Sequence, residues 1–115
     1  MWNKSAGAPG TIPEFDQLVM LAVLRLSPDA YGVAIRREIE ARTGRRVPLS
    51  SIYATLTRLE ARAYLRSELG SPTPERGGRR KRLYAVEPSG VAAVGRQYRQ
   101  FRMMVRGLEG ILEQA

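Results

Sequence analysis

Cysteine and histidine are both missing from the 115 residues. Their absence removes disulfides, thiolate nucleophiles, zinc-finger ligation and the imidazole base of a Ser-His triad. Lysine is almost missing too: Lys4 and Lys81 are the only ones, and Lys4 lies in an N-terminal stretch of Gly, Pro, Ala and Ser. No constellation of nucleophile, base and orienting group is visible, so the chain is not expected to be an enzyme, nor to hold a metal or a cofactor. No apolar run approaches the roughly 20 residues that span a bilayer. Met1 to Gly7 lacks the apolar core of a signal peptide, and the expected location is the cytoplasm with no membrane partner.

What is present is arginine. Lys and Arg number 19 against 11 acids, a formal net charge of +8, and nearly all of the positive charge is guanidinium. Arginine offers a planar fork of donors suited to phosphates and guanine edges. Such charge speaks about partners, not fold. An apolar content of 43% and a length of 115 residues fit one globular domain with a modest core.

Along the chain, residues 1–12 read as a flexible N-terminal arm. Pro13-Glu14 opens a helix, with an acid favoured in the first turn by the helix dipole. Leu18, Leu21, Ala22, Val23 and Leu24 make that helix apolar on most sides, which predicts a central core helix ending near Leu26, before the turn Ser27-Pro28-Asp29. A second helix is expected from Tyr31 to Thr43, with Ile35 and Ile39 on its apolar stripe and Gly44 as its stop. Arg45-Arg46-Val47-Pro48 connects it to a third, about Leu49 to Tyr64.

At 100° per residue, Leu49, Ile52, Leu56, Leu59 and Ala63 of the third helix share one face. Ser51, Ala54 and Arg58 lie opposite, with Ser50 and Thr57 at the side and Tyr53 on the border. A polar solvent face usually carries Glu and Lys. This one is small and hydroxyl-rich with a single arginine, and is slim enough for a groove. Strands are expected at Leu65–Leu69 and Arg82–Val86, joined by a long loop containing Gly70, Pro72, Pro74, Gly77 and Gly78. The run Arg76 to Arg82 places Arg79, Arg80, Lys81 and Arg82 beside the third helix, where phosphate contact suits them better than solvation alone.

From Pro88 a last helix is expected to the C-terminus, residues 88–115. Val91, Val94, Tyr98, Phe101, Val105, Leu108 and Leu112 follow a 3-4 spacing, a heptad seam of about three heptads. A small core would not cover it from end to end, which predicts self-association through it. The expected fold is therefore mainly α with a small β-hairpin wing: a winged helix-turn-helix over residues 13–87 plus a long C-terminal dimerisation helix.

These segments together resemble the PadR family of bacterial transcriptional regulators, in its short form with a single C-terminal helix. Tyr31-Gly32-Val33-Ala34-Ile35 is similar to the family's Tyr/His-Gly-Tyr-x-Ile. Ser51 to Glu60 is similar to its small-aliphatic-Tyr-Pro-x-Leu-x-x-Leu-Glu recognition helix, and Arg80 to Val86 to its Arg-Lys/Arg-Tyr-Tyr-x-Leu strand, with Gly90 following. The chain departs at Ala54 for proline, Leu83 for tyrosine, Glu87 for threonine, and Ala63-Tyr64-Leu65 for Gly-Leu-Ile. The resemblance covers roughly Phe15 onward and implies a dimeric repressor, in some members released by a phenolic or other aromatic effector.

The expected partners are double-stranded DNA and a second copy of the chain. Ser50, Ser51, Thr57 and Arg58 would face the major groove and Tyr53 a phosphate near the helix N-terminus. Arg45, Arg46 and the wing residues would hold backbone, and the dimer would set two half-sites roughly 34–36 Å apart. Tyr98, Phe101, Met103 and Met104, together with Trp2, could line a cleft for an aromatic small molecule, although filling the dimer core is the simpler role for Tyr98 and Phe101. The alternative is a non-specific basic RNA-binding or nucleoid-associated protein using the same arginines without the hydroxyl face.

Overall fold

The structure is a computed structural model that describes residues 11–72 and 80–115. Its elements are α1 (Glu14–Leu26), α2 (Gly32–Thr43), α3 (Leu49–Ala61), β1 (Leu65–Leu69), β2 (Arg82–Val86), α4 (Pro88–Val105) and α5 (Glu109–Glu113). This is the winged helix-turn-helix that the hydrophobic pattern predicts, followed by a long C-terminal helix.

Each helix forms where local chemistry favours it. α1 carries Glu14 and Asp16 in its first turn and Arg25 in its last, in line with its dipole. α2 stops because Gly44 turns left-handed at φ 72° and returns its N–H to the Glu40 carbonyl. α3 buries Ile52, Thr55, Leu56 and Leu59 at helical spacing. Each fully buried Leu or Ile contributes on the order of 1.5–3 kcal/mol.

The core lies between these helices and the hairpin. Val19, Met20 and Val23 of α1 meet Ile35 and Ile39 of α2, and Leu65 and Tyr84 close it from the hairpin side. β1 and β2 pair antiparallel, with Leu65 opposite Val86 and Leu69 opposite Arg82. The Tyr84 N–H donates to the Ala30 carbonyl at 2.8 Å, which brings the α1–α2 connector against the outer edge of β2. The first turns of α4 seal the domain through Gly90, Ala93 and Val94.

Four expectations change. The third helix ends at Ala61, not Tyr64, because Ala63 takes a left-handed φ of 62° and turns the chain into β1. The arm is anchored at its inner end: Ile12 is buried, and the Gln97 side-chain amide both accepts from its N–H at 2.8 Å and donates to its carbonyl at 2.6 Å.

The C-terminal helix is interrupted. α4 stops at Val105, Gly107 takes φ 89°, and Leu108 and Leu112 fall in the turn and the short α5, so the seam does not run on one continuous helix. Val94 belongs to the domain's own core, while Val91, Tyr98, Phe101, Leu108 and Leu112 are exposed and Val105 is half-buried. No helix among the described residues is long and apolar enough to cross a membrane.

Candidate nucleic-acid interface

Because the apolar face of α3 is spent on the core, Ser50, Tyr53, Ala54, Thr57 and Arg58 are left outward, all exposed, with Ser51 half-buried. The Thr57 hydroxyl donates to the Tyr53 carbonyl at 3.0 Å, satisfying it within the helix. The Tyr53 ring lies against the start of α2 at Gly32.

At the N-terminal end of α3 the connector folds back beside it. Arg45, Arg46, Val47, Pro48 and Ser51, with Phe15, surround a hollow of about 230 Å³. Two guanidiniums at a helix N-terminus form an electropositive setting for an anion. Arg45 is held there by Glu14, at 3.0 Å, and by stacking 5.5 Å over the Phe15 ring. Among the described residues Arg46 has no acidic partner.

Arg58 is more constrained than a solvent-facing arginine. Its Nη2 donates to Asp16 Oδ1 at 3.1 Å and to Thr55 Oγ1 at 2.9 Å. Asp16 and Thr55 are both buried. Nothing in the helical wheel of α3 shows Asp16, which arrives from α1 across 42 positions of sequence.

The wing's base flanks the other end of α3. Arg82 Nη1 donates to Ser67 Oγ at 3.0 Å, and that hydroxyl donates to Glu60 Oε2 at 2.8 Å, which links the hairpin to α3. Lys81 Nζ stands 4.2 Å from the centre of the Tyr31 ring, fastening the strand start to the N-cap of α2. Arg80 is exposed. Arg79, like Trp2, lies outside the described residues. Burial, and next Glu60, push the Tyr84 hydroxyl above its ordinary range.

On the opposite side, α1 and α4 leave an apolar groove of about 580 Å³ lined by Leu18, Leu21, Leu24, Val91, Tyr98 and Phe101. Tyr98 and Phe101 meet there, whereas Met104 is exposed and stands outside the lining. The sequence pattern places Leu21 and Leu24 in a core helix, yet they line this groove, 42% and 44% exposed. A helix apolar on most sides in a chain this short is the signal for this, since one small core cannot cover it all. Among the described residues no group of three or more side chains could hold a metal ion.

A slim helix with a free polar face, a basic N-terminal hollow and a hairpin at its flank define a winged-helix nucleic-acid-binding domain. Residues 20–96 match the Transcriptional regulator PadR-like family. The chain belongs to that family and is a DNA-binding transcriptional regulator. Solved structures share the fold. A PadR family transcriptional regulator from Eggerthella lenta is 25% identical with a TM-score of 0.63, over 86% of this chain and 84% of that one. A PadR family regulator from Clostridium difficile is 19% identical with a TM-score of 0.64, over 83% and 97%. A transcriptional regulator from Clostridium thermocellum is 20% identical with a TM-score of 0.64, over 83% and 89%. No curated protein matches the sequence significantly.

Proposed function

We propose that the protein is a homodimeric, sequence-specific repressor acting on operators with two half-sites in the cytoplasm. The observation that carries this reading is the face of α3: small, hydroxyl-bearing and exposed, between the Arg45–Arg46 hollow and the wing base. Ser50 and Ser51 are assigned to base edges. Tyr53 and Thr57 lie along the groove wall. Arg45, Arg46, Arg79, Arg80, Lys81 and Arg82 are assigned to phosphates.

Dimerisation is assigned to the α1–α4 groove together with the exposed chain beyond it. Phe101 is 69% exposed, and Leu21, Tyr98, Leu108, Ile111 and Leu112 add to the apolar area that a monomer would leave in water. A two-fold axis through that surface would bury it twice and place two α3 helices on one side of a duplex. A planar aromatic effector would seat at Tyr98 and Phe101 and act by changing how the two copies sit.

The test is titration of a duplex from upstream of the protein's own coding sequence, against a scrambled duplex, with and without planar aromatics. Specific binding is expected at 10³-fold or more over scrambled DNA, on the order usual for such regulators. Equal affinity for both duplexes would instead indicate a non-specific basic nucleic-acid binder.

A further inference from the structure

We propose that Asp16 decides how Arg58 meets DNA, and that Arg58 is a backbone contact and not a reader of guanine. This rests on α3 being the recognition helix. A guanidinium has five N–H donors, two of them on Nη2. Its two-pronged edges, Nη1 with Nη2 and Nε with Nη2, both draw on Nη2. Reading guanine O6 and N7 together requires one such edge complete.

In this protein Nη2 faces two acceptors inside the domain, Asp16 Oδ1 at 3.1 Å and Thr55 Oγ1 at 2.9 Å. The side chain is nonetheless 56% exposed, and neither Nε nor Nη1 has an acceptor among the described residues. Single donors carrying a full positive charge suit a phosphate oxygen. Turning the whole fork onto a base pair would strand Asp16, whose side chain is 5% exposed, without its cation. A buried carboxylate left unpaired is strongly unfavourable. Asp16 is thus a positioning residue: it never reaches DNA, and it fixes which donors of Arg58 do. Base discrimination then falls to the small donors on α3, Ser50 and Ser51.

The experiment uses the full chain, a duplex that it selects from a random-sequence pool, and the scrambled version of that duplex. Arg58→Lys keeps the charge and loses the fork. Both affinities should stay within about threefold of wild type, with their ratio unchanged. Arg58→Gln should lower both by a similar factor, about tenfold, and reduce the salt slope by about one.

Asp16→Ala removes the acceptor and frees one of the two Nη2 hydrogens. Selection repeated with this variant should show a new guanine preference at one position per half-site, and adding Arg58→Lys should abolish it. A tenfold or greater fall in the Arg58→Lys ratio, with scrambled binding unchanged, would mean bidentate guanine reading and overturn the proposal. An Asp16→Ala protein that melts like wild type and selects the wild-type sequence would also overturn it. If Asp16→Ala does not fold, Arg58→Lys decides alone, because its site is at the surface. Failure of wild type to bind any duplex would remove the recognition-helix reading and this assignment together. Binding with the wrong variant pattern removes only the assignment.

Discussion

Tyr53 lies across Gly32. A Cβ added at residue 32 would stand 2.5 Å from Tyr53 Cε1 and 2.7 Å from its hydroxyl oxygen. Glycine is needed there for close approach, and the contact joins the first turn of α2 to α3, the two helices of the helix-turn-helix. Tyr53 is 46% exposed, so in Gly32→Ala the ring can swing outward. The stability loss should therefore stay near the low end of overpacking costs, about 1 kcal/mol. The hydroxyl would leave its place beside the start of α2, and affinity for an upstream duplex should fall about tenfold. Melting and titration of one variant separate the two effects. Unchanged affinity would mean that the position of Tyr53 does not matter to DNA.

Ala63 occupies the left-handed region at φ 62°, a conformation that costs an L-residue roughly 1–2 kcal/mol. The family resemblance places glycine at this point, and the turn from α3 into β1 explains why. Ala63→Gly relieves the strain, while the freer unfolded chain offsets part of the gain, about 0.4–1 kcal/mol. A net stabilisation of up to about 1 kcal/mol is expected, a few degrees in Tm for a domain of this size. A lower Tm would show that the turn does not strain Ala63.

Much of this was legible in advance. α1 begins and ends where Pro13 and Ser27 place it, both strands fall at the expected residues, and the buried face of α3 follows its spacing. These are features of local period and punctuation. What the sequence hid depends on residues far apart in it. Asp16 reaches Arg58 across 42 positions, and Gln97 clamps Ile12 across 85. The heptad spacing suggested one seam to Leu112, but a hydrophobic period cannot register that Gly107 turns the backbone or that the domain claims Val94 for itself.

The α1–α4 groove gives a test of assembly that separates it from a coiled coil. Leu21→Glu puts a charge on α1, away from the heptad helix, into a wall 42% exposed in the subunit. Both Leu21→Glu and Phe101→Glu should give folded monomers by sedimentation, and both should weaken binding to a duplex with two half-sites. A Leu21→Glu protein that remains dimeric would confine the interface to the C-terminal helix. A wild type that is monomeric at tens of micromolar would remove the dimer altogether.

Salt should separate backbone from base contacts. Arg80→Ala is expected to weaken specific and scrambled duplexes alike and to lower the salt slope by about one, whereas Ser51→Ala should leave the slope unchanged and reduce the ratio between them. The reverse pattern would exchange the two roles.

The most direct measurement is selection by the protein from a pool of random-sequence duplexes, followed by sequencing of what is retained. The expected product is an inverted repeat whose half-site centres lie about one helical turn apart, roughly 34–36 Å, as two α3 helices on a two-fold axis require. A retained pool with no consensus, or a single unrepeated site bound by one copy, would contradict it.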